Sequence, residues 1–360
     1  MVDKLQTFAY TVYLIWHFRR HIMANSLNNI IRLNTNNFDS YMNQYAGMMT
    51  KKQRDAIRNG FDLTLRLEKY TETALGLRPD VLATKRHTAI WGPPGGGKTF
   101  TANEVIKRNN VPVLKIHGAS SLHDAMVQIA VFKYKNLGKP FTVWFDDCDS
   151  FFDRGSSNAL DPLNIVKGML DPEREIQADG QGGVLAYNVD VTNTINKAMN
   201  AAEYDPTKQI IADALTHFRN PNGLGVEIKT NDINFFWTTN RVLPNKKVAF
   251  TPKSNGQLDQ LKIDQHAVRD RCNWRKFDIT EEEAWGWMAS VMLSNDVFAA
   301  EPLMQGQTLD IQQLMILLQT FYNHWDNLEA NSMRTVKEAG AMLLMDPDNF
   351  QDEFEQNFVG

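Results

Sequence analysis

Covalent cross-links are scarce in this 360-residue chain, which has two cysteines, Cys148 and Cys272. Two thiols form no disulfide framework and show no metal-ligand spacing, so a reducing, cytoplasmic compartment is expected. A strong charge of either sign is also missing. The formal net charge is −4, so bulk electrostatics give no attraction to nucleic acid, and any such contact needs a local basic patch. The N-terminal run FAYTVYLIWHF, Phe8–Phe18, has eleven residues, too few to cross a bilayer as a helix. No small-residue cleavage site follows it, and Arg19 and Arg20 lie on the wrong side for a signal peptide. A membrane partner is therefore not expected. Three readings of the run stand: a docking or membrane-surface helix, a helix buried on its own domain, or a leader ahead of a start at Met23. There is no internal repeat and no low-complexity tract, which excludes solenoids and repeat arrays.

What is present is an ordinary globular composition, 43% hydrophobic and 22% charged. The length suits one large domain with additions, or two to three smaller ones. Residues 24–75 are polar and helix-prone, so residues 1–78 read as a helical N-terminal region. Short apolar runs then alternate with helical patterns. Strands are expected at Thr88–Trp91, Val111–Ile116, Phe141–Phe145 and Ile233–Thr238, with a fifth near Trp274–Ile279. Helices are expected at Lys98–Arg108 and Ser121–Asn136. Strands alternating with helices imply an α/β fold, a three-layer arrangement of a mainly parallel sheet with helices on both faces. The last 80 residues differ. Thr280 and Glu283 have capping-box spacing, and Leu309–Trp325 and Ser332–Met345 read as helices. Residues 280–360 are thus expected to form a small helical lid domain after a core at 79–279.

The chemistry is concentrated in WGPPGGGKTF, Trp91–Phe100. Gly92, Gly97, Lys98 and Thr99 fit the phosphate-loop pattern G-x-x-x-x-G-K-[ST]. Glycines at Gly92, Gly95, Gly96 and Gly97, with Pro93 and Pro94 between them, let successive N–H groups turn toward phosphate oxygens, and Phe100 continues into the next helix. That helix adds its N-terminal dipole to the anion site. Lys98 would reach the β- and γ-phosphates, and the Thr99 hydroxyl would bind Mg²⁺. A phosphate loop needs an acid for the metal. The strand TVWFDD supplies Asp146 as the magnesium partner, direct or through water, and Asp147 as the group that polarises the attacking water. Both stand at a strand's C-terminal end, where open parallel sheets bind ligands.

With these elements in place the sequence resembles the AAA+ ATPase superfamily of P-loop NTPases. GPPGGGKT is close to that family's GPPGTGKT. INFFWTTN resembles the strand ending in the sensor-1 asparagine, Asn240 here. HAVRDRCNW resembles the arginine-finger segment of clamp-loader subunits, with Arg271 the match and Arg269 the second candidate. NSMRTVKEAG resembles the sensor-2 helix, with Arg334 the match. The resemblance runs over about residues 75–350. It implies an ATP-hydrolysing enzyme with ATP and Mg²⁺ bound between copies of the same chain. A neighbouring arginine then completes each site, in a ring, six subunits being the family's usual number, or in a five-subunit arc.

Three departures qualify what the resemblance implies. Asp147 stands where the family usually has glutamate, so slow hydrolysis is expected. Gly118–Leu122 lacks the aromatic residue of protein-threading members, and Phe132 and Tyr134 read as packing residues. Asp146 and Asn240 are 94 residues apart, longer than is usual. The extra piece, about 171–231, carries GQGG at Gly180–Gly183 and PNGLG at Pro221–Gly225, and reads either as a substrate-contacting insertion or as a surface elaboration. Leu243–Gln265 is locally basic through Lys246, Lys247, Lys253 and Lys262 but poor in aromatics, and reads as a solvated loop. The leading functional reading is an oligomeric ATPase that remodels or loads a macromolecule, either nucleic acid or protein. The alternative is an ATP-dependent assembly scaffold with slow turnover, and a small-molecule P-loop kinase is the weakest reading.

Overall fold

The computed structural model describes residues 35–78, 87–118, 121–153, 161–170, 184–187, 189–220, 225–293, 296–299 and 306–360. The run Phe8–Phe18, Met23, Ala119–Ser120, GQGG and most of PNGLG lie outside the described residues. Contacts divide the chain into two units. One comprises Leu67–Pro94 and Lys98–Asp278; the described part of the other comprises 35–66, Gly95–Gly97, 279–293, 296–299 and 306–360.

The first unit is built on a five-stranded, all-parallel sheet in the order β2-β3-β6-β1-β7. Its strands are β1 (His87–Trp91), β2 (Val113–His117), β3 (Phe141–Asp146), β6 (Ile233–Thr239) and β7 (Cys272–Lys276). β3 is buried throughout, and this is why it reads as an unbroken apolar run rather than an alternating one. The last strand begins two residues earlier than its apolar pattern suggests, because Arg271 ends a helix and the chain turns directly into the sheet. Helices flank the sheet: α3 (Lys98–Asn109), α4 (Leu122–Lys135, capped by Ser121), α5 (Pro162–Met169), α6 (Thr192–Ala202), α7 (Gln209–His217), the short α8 (Lys246–Ala249) and α9 (Gln260–Arg271).

The core holds a column of rings. Phe145 stacks on Trp237 at 5.0 Å and on Phe235 at 6.2 Å, and Phe151 meets its edge. Fully burying one such side chain contributes roughly 1.5–3 kcal/mol. The extra piece between Asp146 and Asn240 joins this core. Its strands β4 (Val184–Tyr187) and β5 (Val226–Lys229) form a separate antiparallel pair, and Leu185, Tyr187, Leu215 and Ile228 are buried in the same cluster. The described part of the piece is therefore structural core, whatever its other contacts. Phe132 packs on Phe141 and Tyr134 on His217, as packing residues should. The basic stretch 243–265 is not simply a loop. Asn245 caps α8 and Asp259 caps α9, and Asp259 also pairs with Lys253 and Lys262.

The second unit is helical: α1 (Thr35–Tyr45), most of α2 (Lys51–Ala74), α10 (Glu281–Leu293), α11 (Asp296–Ala299), α12 (Ile311–His324), α13 (Met333–Met345) and α14 (Phe350–Phe358). Reciprocal capping boxes start three of them. Thr50 and Gln53 open α2, Thr280 and Glu283 open α10, and Asp310 and Gln313 open α12. No described helix is long and apolar enough to cross a membrane.

Within this unit α2 and α10 touch backbone to backbone. A Cβ added at Gly286 would stand 1.9 Å from the Ala56 carbonyl oxygen, and one at Gly60 would stand 2.1 Å from the Trp287 nitrogen. Alanine gains up to about 1 kcal/mol over glycine in helix propensity. Overpacking against rigid backbone costs about 1–3 kcal/mol, and no rotamer can relieve it. Gly286→Ala should therefore lower the urea midpoint of the purified chain. An unchanged or higher midpoint would show that the helices separate without cost.

Candidate functional site

The register of β6 assembles the site. Thr238 pairs with Asp146 on one side and Thr239 with Trp91 on the other. The ladder runs one step further: Gly92 N–H donates to Thr239 O at 3.2 Å, and Asp147 N–H to Thr238 O at 3.0 Å. The glycine loop, the two aspartates and Asn240 thus leave the sheet at one edge, the carboxyl end of the strands.

Gly95 and Gly97 have φ of +77° and +75°, a region glycine enters without steric cost. Pro93, Pro94 and Gly95 are exposed, Gly96 is buried, and Phe100 is half-buried in the first turn of α3. Lys98 opens that helix and is itself buried. Its ammonium donates to Gly92 O at 2.9 Å, Pro93 O at 2.7 Å and Asn240 Oδ1 at 2.9 Å. Burial pushes its pKa down to about 8, against the opposing pull of Asp147, Asp149 and Asp146.

Asp146 is buried and fully engaged. Its Oδ1 accepts from the Thr99 hydroxyl at 2.7 Å and the Thr238 hydroxyl at 2.6 Å, and its Oδ2 pairs with Lys115 Nζ at 2.8 Å. Trp144 Nε1 donates in turn to Thr238 Oγ1 at 2.9 Å. Asp147 has φ of +55°, uncommon for a residue with a side chain and a form of strain that tends to gather at working sites. Its side chain is exposed, with Asn240 Nδ2 3.4 Å from Oδ1. Partial loss of water raises its pKa above the ordinary value, and Asp146 and Asp149 add to the rise. Asp149 accepts from the Thr239 hydroxyl, while Arg241 forks onto Asp153 with both bonds at 2.6 Å. The Cys148 thiol is buried, and burial pushes its pKa up to about 12, so it is no nucleophile.

The fold therefore brings together Lys98, Thr99, Asp146, Asp147 and Asn240. The three arginines are carried by other elements. Arg269 and Arg271 occupy the last turn of α9, where they donate to Leu243 O and Ala267 O. Arg334 is exposed on the first turn of α13 in the helical unit. Sequence reading passed over Lys115, Thr238, Asp149 and Arg241. For Lys115 a signal existed, a lone cation in the otherwise apolar strand Val111–Ile116.

The donor set suits a magnesium nucleotide. A hydroxyl and a carboxylate, both hard oxygen donors, lie side by side next to a buried ammonium. Among the described residues no group of three His, Cys, Asp or Glu side chains could hold a metal ion alone. Magnesium is commonly held by one or two protein oxygens together with phosphates. Phosphate favours protonated Lys98, and the free amine gains population as pH rises through about 8. Nucleotide affinity should therefore fall above pH 8, with proton uptake that grows over the same range. Calorimetry in buffers of different ionisation enthalpy measures both, and flat affinity from pH 7 to about 9.5 would contradict this protonation state.

Comparison with known proteins agrees with the geometry. Residues 88–219 match the family model described as "ATPase family associated with various cellular activities (AAA)". No curated protein matches the chain. The matched segment begins in β1 and takes in the glycine loop, α3, β2, α4, β3 and both aspartates. Residues 88–219 thus carry an AAA domain, a domain of the P-loop ATPase type.

Proposed function

We propose that this chain is a magnesium-dependent ATP hydrolase that works as a homo-oligomer and couples nucleotide binding and turnover to remodelling or loading of a macromolecule. In this reading residues 79–279 form the nucleotide-binding core, and residues 1–78 and 280–360 are its helical additions. The observation that carries it is the meeting of Lys98, Thr99, Asp146, Asp147 and Asn240 at one sheet edge.

Each residue has a role that its surroundings support. Loop amides and Lys98 hold the phosphates, and Asn240 fixes the lysine through its side-chain oxygen. Thr99 and Asp146 would hold magnesium, which when bound neutralises charge on the phosphate oxygens. Asp147 orients and polarises water. Its raised pKa makes it a stronger base than an ordinary aspartate, and Asn240 steadies it. Arg271, with Arg269 beside it, is the cation offered to a neighbouring subunit's site, and Arg334 is the sensor of the helical unit. Positioning and charge dominate phosphoryl transfer, so an arginine supplied in trans contributes on the order of 10³–10⁵ in rate. Hydrolysis then depends on assembly, whereas binding does not.

Asp147 itself favours a second reading. One methylene shorter than glutamate, it reaches less far toward water, which suits an ATP-dependent scaffold or protein remodeller with slow turnover. Steady-state rates separate the two, and stimulation by single-stranded DNA, duplex DNA or RNA identifies a nucleic-acid substrate, whereas its absence points to a protein client. Asp147→Asn should keep nucleotide affinity and lower turnover by about 10²-fold or more. Wild-type turnover would place the base elsewhere. Arg271→Ala should behave likewise, and mixing the two variants should restore activity at interfaces that combine an intact acid with an intact arginine. No recovery would argue against a shared site.

A further inference from the structure

Lys115 is one of the charged residues at this edge, with Asp149 and Arg241, that the nucleotide-site roles above leave unused. It lies on β2, opposite Trp144 in the register with β3, and its ammonium sits 4.0 Å from the centre of the Trp144 ring. The same ammonium is 2.8 Å from Asp146 Oδ2, while the other oxygen is taken by Thr99 and Thr238. The side chain is 23% exposed, so its charge is only partly screened by water. A cation held by both an aromatic face and a carboxylate is fixed in place rather than swept through solvent.

We propose that Lys115 is a built-in counter-ion of Asp146 that sets the metal requirement of the nucleotide site. This rests on the nucleotide-binding reading above. Two consequences follow from charge. A divalent ion arriving at Asp146 meets a positive charge already paired with that carboxylate, so Lys115 competes with it. Without metal, Lys115 offsets part of the negative charge of Asp146, Asp147 and Asp149, so a polyanionic phosphate chain is repelled less. Both effects are Coulombic and act over a few ångströms in a partly desolvated setting. Lys115 therefore reduces the gap between metal-free and metal-loaded nucleotide affinity by acting on both ends. It acts through Asp146, as a positioning residue.

The test is a titration of the full chain with ADP, read by calorimetry, in excess EDTA and across a range of Mg²⁺ concentrations. The wild type should bind in EDTA within about tenfold of its affinity in saturating Mg²⁺. Lys115→Met should weaken binding in EDTA and lower the Mg²⁺ concentration for half-maximal effect, each on the order of tenfold. Lys115→Arg should behave as the wild type. Lys115→Gln, which keeps a polar donor without the charge, should follow the Met variant and serves if that variant fails to fold. A merely structural role would weaken binding equally with and without metal. Equal weakening, no change in either quantity, an Arg variant that shifts like Met, or strict metal dependence in the wild type would each overturn the proposal. If the wild type binds no ADP under any condition, the nucleotide reading itself falls instead.

Discussion

Three carboxylates and two ammonium groups share one partly dehydrated sheet edge, and the balance of those charges is the constraint on which the rest depends. Asp146, Asp147 and Asp149 follow one another within four residues. Left alone they would repel one another and take up protons. Lys98 and Lys115 hold them from two sides, and the hydroxyls of Thr99, Thr238 and Thr239 hydrogen-bond the carboxylates that the lysines do not fully satisfy. The edge remains imperfectly compensated: burial first, and then Asp146 and Asp149, raise the pKa of Asp147, while burial depresses that of Lys98 against the pull of the same carboxylates. In the proposed reading the divalent cation of a bound nucleotide supplies the positive charge that this edge lacks.

The rest of the α/β unit serves to hold these groups at a common height. β6 is late in sequence yet lies between β1 and β3. Its register fixes Trp91 and Asp146 at adjacent rungs, and the glycine loop and Asp147 then leave in step. The ring column of Phe145, Phe235 and Trp237 locks that register, because a slip of one residue would turn every one of these side chains to the opposite face. The described part of 184–229 joins the same core through Leu185, Tyr187 and Ile228, so that part of the stretch between Asp146 and Asn240 supports the sheet that carries the site.

What was legible in the sequence was local. The phosphate loop, the apolar strand that delivers Asp146 and Asp147, and the strand ending in Asn240 are contiguous motifs whose chemistry is written in neighbouring residues. Capping spacing at Thr280 and Glu283 was visible for the same reason. Lys115 and Thr238 were not legible as partners of Asp146, because their contact depends on which strands lie side by side. Nor was the core role of the extra piece, since VLAY and VEIK are four residues each and find each other only across a long stretch of chain. The start of β7 was misplaced for a related reason: Cys272 and Asn273 are drawn into the sheet by pairing with His87 and Thr88, which no local pattern announces. The long-range partners of Lys98 were half legible, since the phosphate-loop motif names the lysine but not the Asn240 oxygen that receives it.

The central claim is that the buried Lys98 ammonium is the anchor for a nucleotide's phosphates. Titration of the purified chain with ATP in the presence of Mg²⁺, wild type against Lys98→Ala, tests it most directly. The account predicts saturable binding by the wild type and a loss of affinity of two orders of magnitude or more in the variant, roughly the worth of a charged hydrogen-bonded group removed from a buried site. Equal affinity in both proteins, with the variant folded, would contradict it.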